Sequence, residues 1–226
     1  MSSAEVERTR QLYRRVVTMY DGFRSVWSRW TRPAEEALDE LFRERITSTT
    51  RVLELAPGTG INIERLFRCA PDFASYLGID SSDEMMKRAR EKAGGDPRIE
   101  LRLGDATDLL GIEASCDFIV CTWLLSHLDA PAETVRSAVS KLSPGGTAAF
   151  IFFTAPTGAV SRLVLERLGG PFRYRFVDSA GFPAIGELER LVSYAGGMAT
   201  LAVYRNSKMA NGSHSDERHT DSTGGQ

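Results

Sequence analysis

Between Arg51 and Phe153 the chain alternates short β-rich apolar runs with stretches whose apolar residues recur every three or four positions. A period near two marks a strand and a period near 3.6 marks one face of a helix, so the alternation predicts repeated strand–helix units. Arg51–Ala56 ends in the turn Pro57-Gly58-Thr59-Gly60, after which Ile63, Leu66, Phe67 and Ala70 follow at helical spacing. Ser75–Ile79 precedes a helix over Met85–Ala93, and Ile99–Leu103 runs into a turn at Gly104-Asp105. Asp117–Cys121 precedes a helix over Ala132–Leu142, and beyond the turn Ser143-Pro144-Gly145-Gly146 the run Thr147–Phe153 reads as a fifth strand. Strands that alternate with helices imply a mostly parallel sheet covered on both faces, the doubly wound α/β class.

The flanks follow other patterns. From Ala4 to Trp30, apolar residues such as Val16, Tyr20, Phe23, Trp27 and Trp30 keep helical steps, with a break expected near Asp21-Gly22. A second helix is expected to begin after Thr31-Arg32-Pro33, where proline suits a first turn, and to run toward Arg45. One more helix fits 158–169. Glu187–Tyr194 and Met198–Arg205 flank Ala195-Gly196-Gly197 and read as an antiparallel hairpin, in preference to a helix over 186–194 and a single last strand. The expected architecture is a seven-stranded Rossmann-like sheet with an antiparallel last strand. Residues 1–45 form a helical lid, 46–206 the core, and 207–226 a polar tail with too little apolar surface to offset the entropy of ordering.

With 226 residues and 42% hydrophobic content, the chain can build one sizeable core and is short for two. Its net charge of −2 lacks the positive footprint that nucleic-acid phosphates call for. Arg8, Arg10, Arg14, Arg15, Arg24 and Arg29 crowd the N-terminal stretch, as a solvated helix face or as a contact for anionic lipid or an acidic substrate. Cys69, Cys116 and Cys121 are an odd set without a CxxC, which points to a reducing, cytoplasmic setting and to no metal site. A signal peptide's continuous apolar core is missing, and no run approaches the length that spans a bilayer, so a soluble protein is expected.

Candidate chemistry gathers at the strand ends. Glycines at 58 and 60 let the backbone approach a ligand, and the next helix begins with unpaired N–H groups suited to an anionic or carboxylate-bearing partner. Asp80 directly follows the second strand, where nucleotide-binding α/β folds place an acid on ribose hydroxyls; Asp80-Ser81-Ser82 can equally cap a helix. Gly104-Asp105-Ala106 repeats the polar strand end, so three consecutive strands offer ligand groups on one edge of the sheet. His127 follows the fourth strand, where it can move a proton or simply cap the next turn. Trp27, Trp30 and Trp123 can line a pocket or serve as core.

Five blocks resemble the class I S-adenosylmethionine-dependent methyltransferases, in particular their small-molecule, quinone-methyltransferase-like branch. They are Val52–Gly60, Gly78–Met86, Gly104–Leu109, Phe118–Cys121 and Leu142–Gly146, in that family's order and spacing, and the resemblance covers about residues 10–206. It implies S-adenosylmethionine as cofactor, with Glu54 and the Gly58–Gly60 backbone at the methionine end and Asp80 on the ribose. Met85 would pack on the adenine, Asp105 would accept from its amino group, and the Ala106 N–H would face a ring nitrogen. Thr122–His127 would face the methyl group, and Tyr20 on the N-terminal helix would reach the methionine carboxylate or serve as core. A nicotinamide fingerprint would place a third glycine where Ile63 stands. Pro57 departs from the family's usual small residue or cysteine. The implied activity is methyl transfer to a small apolar or aromatic acceptor. The alternatives are a lipid or quinone acceptor at a membrane surface, or a binding protein without activity.

Overall fold

The computed structural model describes residues 30–112, 115–159, 162–163, 174–179, 182 and 186–207. Tyr20, most of the helix expected over 158–169, and the tail beyond residue 207 lie outside the described residues.

Seven strands form one sheet in the order β3-β2-β1-β4-β5-β7-β6. They are β1 (Arg51–Leu55), β2 (Ser75–Asp80), β3 (Ile99–Leu103), β4 (Cys116–Thr122), β5 (Leu142–Phe152), β6 (Glu187–Tyr194) and β7 (Ala199–Arg205). The first five are mutually parallel, and β7 runs antiparallel between β5 and β6. The hairpin read from Ala195-Gly196-Gly197 is present, with those residues forming a short 3-10 turn in which Ala195, Gly196 and Gly197 all have positive φ.

Among the described residues four helices cover the sheet: α1 (residues 30–45), α2 (Ile61–Cys69), α3 (Asp83–Ala93) and α4 (Pro131–Val139). One face buries Leu38 and Phe42 of α1, Ile63 and Leu66 of α2 and Ala89 of α3 against Val52, Phe118 and Ile151. The other buries Val135, Ala138 and Val139 of α4 against Leu53, Ile119 and Phe150. Both faces of β1 and β4 are therefore dry, which explains why these strands read as near-continuous apolar runs. At the end away from the site, Arg51 holds Asp117 through two side-chain bonds of 2.9 and 3.0 Å, fixing the β1–β4 register.

Two boundaries differ from the sequence pattern. Residues 30–33 are already helical, so Pro33 stands inside the first described turn of α1 and does not open it. The fifth strand begins at Leu142: Leu142 pairs with Cys116, the register slips, and pairing resumes at Thr147 with Phe118. The turn residues Ser143–Gly146 are thus a kink within one strand, made possible by Gly145 at φ +78°.

Candidate active site

The chain winds outward from β1 through β2 to β3, then returns to place β4 on the other side of β1. Neighbouring strands here send their connections to opposite faces, which leaves a crevice beyond the carboxyl ends of β1 and β4. A cleft at this point is lined by Ala56, Pro57, Gly58, Thr59, Ile61 and Asn62 from the first turn, by Thr122 and Trp123 from β4, and by Glu35 from α1. Ala56 (φ +57°) and Trp123 (φ +70°) both hold left-handed backbone, a conformation that costs side-chain-bearing residues energy and clusters at functional sites. Neither position carries a glycine, so nothing in the sequence marked this left-handed backbone, although Trp123 itself was a candidate pocket residue.

The two glycines of the turn serve different needs. A Cβ on Gly60 would lie 2.9 Å from the Ala89 Cα, so this glycine lets α2 start against α3. A Cβ on Gly58 would meet nothing within 4 Å, which leaves open space over that peptide. Thr59 between them is 1% exposed, and its hydroxyl has no hydrogen-bond partner.

Asp80 leaves β2 beside this turn. Its carboxylate accepts the Gly58 N–H at 3.0 Å and the Ser82 N–H at 2.9 Å, while Ser82 caps α3 by accepting the Met85 N–H. Burial raises the Asp80 pKa, and the backbone donors of Ser82, Gly58 and Ser81 work against that rise. The Gly104 N–H donates to the Asp80 carbonyl at 2.9 Å, which brings Asp105 and Ala106 to the same edge. Asp105 accepts from the Thr107 N–H and hydroxyl at 2.9 and 2.8 Å, and Met85 and Ala106 are buried.

Glu54 is fully buried beneath the cleft. It accepts from Asn62 Nδ2 at 2.6 Å and from the Tyr76 hydroxyl, and burial pushes its pKa up to about 7 against the pull of those two donors. Asn62 Nδ2 also donates to Thr122 Oγ1 at 3.3 Å, and Arg65 donates to Asn62 Oδ1. Glu54 thus meets the cleft through Asn62. Arg65 binds Glu35 and Asp39 of α1 as well, so one buried guanidinium ties α1, α2 and the cleft wall together. Asn62, Arg65 and Tyr76 were not legible as site residues, since their role comes from contacts between elements that leave no periodic trace.

His127 ends a 3-10 turn over Leu124–His127. Its ring centroid lies 5.0 Å from that of Tyr174, which lies 4.5 Å from Phe153, itself 4.7 Å from Trp123. Loss of water around the imidazole pushes its pKa down to about 4, so the ring is neutral near pH 7. Ser126 anchors this wall: its hydroxyl accepts the Phe153 N–H and its carbonyl accepts the Arg175 N–H. An aromatic wall of Trp123, Phe153, Tyr174 and His127 therefore stands beyond the ends of β4 and β5. Among the described residues no helix is long and apolar enough to cross a membrane.

The strand order, the glycine turn and the acids at successive strand ends define a doubly wound methyltransferase fold. Residues 53–150 match the family described as a methyltransferase domain. It is 29% identical over 147 residues to a demethylmenaquinone methyltransferase of Clavibacter sepedonicus, a match covering 62% of this chain and 59% of that protein. It is 23% identical over 212 residues to the ubiquinone/menaquinone biosynthesis C-methyltransferase UbiE of Geobacter sulfurreducens, covering 84% and 80%. The chain thus spans about three fifths of the first relative and four fifths of the second. The fold matches the N-methyltransferase NodS of Bradyrhizobium japonicum, solved with S-adenosyl-l-homocysteine, with a TM-score of 0.55 and 16% identity over 78% of this chain and 87% of that one.

Proposed function

We propose that this protein transfers the methyl group of S-adenosylmethionine to a small, apolar or aromatic acceptor. The observation that carries the reading is the cleft at the β1–β4 crevice. A buried hydroxyl without a partner, that of Thr59, and open space over Gly58 fit a bound group with polar atoms. Gly58, Gly60 and Thr122, with Glu54 acting through Asn62, would hold the methionine end. Asp80 would hold the ribose, and Met85, Asp105 and Ala106 the adenine. When bound, the cofactor supplies a methyl group on a sulfonium, and the bond to sulfur breaks as the bond to the acceptor forms.

The chain then has to align the nucleophile and keep water out. Trp123, Phe153 and Tyr174 offer flat apolar surface for an aromatic or isoprenoid-like acceptor, held by shape with few polar anchors. His127, neutral near pH 7, is able to take a proton from an acceptor hydroxyl as the new bond forms. The names of the two quinone methyltransferases support a quinone-like ring as the first class of acceptor to try. Calorimetry with S-adenosylhomocysteine tests the cofactor assignment, and transfer of a labelled methyl to quinols and phenols tests the activity. Binding without transfer to any such acceptor would favour a cofactor-binding protein without activity, and no binding would sink the proposal.

A further inference from the structure

We propose that Arg65 is a positioning residue that sets the hydrogen-bond polarity of the cleft, locking the Asn62 amide so that Thr122 presents its hydroxyl hydrogen to the ligand. The part that concerns the ligand rests on the cofactor assignment above. An asparagine amide has a donor end and an acceptor end of nearly the same shape, and its partners decide which way it faces. Here Nδ2 donates to Glu54 Oε1 at 2.6 Å and to Thr122 Oγ1 at 3.3 Å, while Oδ1 accepts from Arg65.

Glu54 does not settle that orientation by itself. Burial raises its pKa to about 7, so it passes between carboxylate and acid near neutral pH. The carboxylate only accepts, whereas the acid is able to donate to the oxygen of a turned amide. The other groups that face Glu54 are the Tyr76 hydroxyl and Asp80 from β2 and the Cys121 thiol from β4, and none of them is hydrogen-bonded to Asn62. Arg65 does settle it. A guanidinium carries donors alone, so a turned amide would set its own N–H groups against those of Arg65. The Arg65 side chain is buried, and its remaining donors are held by Glu35 and Asp39 of α1. Thr122, which lines the cleft, therefore accepts on its Asn62 side and keeps its hydroxyl hydrogen for an acceptor in the cleft. The docking of α1 and the polarity of the cleft depend on the same cation.

Two measurements test this. Nuclear Overhauser contacts in the unliganded protein should run from the Asn62 Nδ2 hydrogens to Thr122 at about pH 5.5 and at about pH 8.5, on both sides of the Glu54 titration. An Arg65 that merely braced α1 would let these contacts change as Glu54 takes up its proton, and such a switch would overturn the inference whether or not the cofactor binds. The second measurement is a mutant cycle read by calorimetry with S-adenosylhomocysteine. Thr122→Val should weaken binding about fivefold in the wild-type background, the worth of one neutral hydrogen bond. The other background combines Glu35→Gln, Asp39→Asn and Arg65→Met, because removing the buried charges together leaves none of them unpaired. There Thr122→Val should change affinity by less than about twofold, since the freed amide no longer turns the hydroxyl toward the ligand. An equal loss in both backgrounds, or no loss in either, would overturn the inference and leave the cofactor assignment standing. Failure of the wild type to bind S-adenosylhomocysteine would overturn that assignment, and the Asn62 contacts would still decide the role of Arg65. The same contacts decide it where the combined variant fails to fold.

Discussion

The Asp80 carboxylate accepts the Gly58 backbone N–H at 3.0 Å, so the acid that ends β2 also sets the glycine turn that ends β1. In the proposed site, nucleoside recognition and turn geometry would therefore share one side chain. Asp80→Ala should weaken S-adenosylhomocysteine by roughly 10- to 150-fold, the equivalent of a charge-assisted bond. It should also cost about 1–3 kcal/mol of stability, because the Gly58 and Ser82 N–H groups lose their acceptor in a buried setting. Calorimetry and urea unfolding measure the two effects. Lost affinity with unchanged stability would mean that the backbone donors find other partners, and unchanged affinity would remove Asp80 from the site.

Glu54 and His127 drive the pH dependence of stability in opposite directions. The Glu54 pKa rises on folding to about 7 from an ordinary value of 4.5, so the folded chain binds the extra proton and this contribution is lost as pH rises through that window. The His127 pKa falls on folding from 6.5 to about 4, so the unfolded chain binds the extra proton and stability is lost as pH falls through that window. Relative to wild type, Glu54→Gln should gain stability between pH 4.5 and 7, and His127→Gln should gain stability from pH 6.5 down to 4. Each difference is of order 1–3 kcal/mol at its limit. Urea midpoints at pH 4.5, 6 and 7.5 check both signs, and parallel curves for wild type and either variant would contradict the assigned shift.

Elements whose residues repeat with a single period were legible in the chain, and contacts between elements were not. β3 appears at Ile99–Leu103, as its alternation implied, and the β6–β7 hairpin follows from its glycine-bearing loop. Asp80 and Gly58 were legible because a motif fixes their places relative to a strand and a turn. Their mutual hydrogen bond was not, and neither was the Glu54–Asn62–Arg65–Glu35 chain, which joins β1, α2 and α1 through side chains alone. The kink at Ser143–Gly146 escaped for another reason: turn residues inside a strand look the same as turn residues between two elements.

Trp123 gives a test of backbone strain at the site. Its φ of +70° penalises any Cβ, while its ring packs on Phe153. Trp123→Ala and Trp123→Gly lose the same ring contact, and only alanine keeps the left-handed penalty. That penalty, about 1–2 kcal/mol, exceeds the entropic cost of glycine, about 0.5–1 kcal/mol. The glycine variant should therefore be the more stable by roughly 0.5–1 kcal/mol, the reverse of the order at most positions. Thermal unfolding of the pair decides it, and an alanine variant as stable as the glycine one would show that the segment relaxes once the ring is gone.

The proposed lid can be separated from the core by where the chain is cut. α1 is built into the sheet: Leu38, Leu41 and Phe42 are at most 2% exposed, and the Phe42 ring meets that of Phe118 edge-on at 5.2 Å. Burial of three such side chains supplies roughly 5–9 kcal/mol, comparable with the whole stability of a typical domain. Deleting residues 1–45 should therefore abolish cooperative unfolding. A lid that can be cut away without unfolding the core would then have to be drawn from the chain upstream of α1, a helix that Arg65 clamps by Glu35 and Asp39. Deleting residues 1–20 should leave the urea transition in place, lower affinity for S-adenosylhomocysteine, and abolish transfer to an identified acceptor, because water then reaches the reacting atoms. A shortened chain that folds and methylates at the full rate would remove the N-terminal stretch from the acceptor site. The aromatic wall of Trp123, Phe153 and Tyr174 would then have to close that site with the segment between β5 and β6.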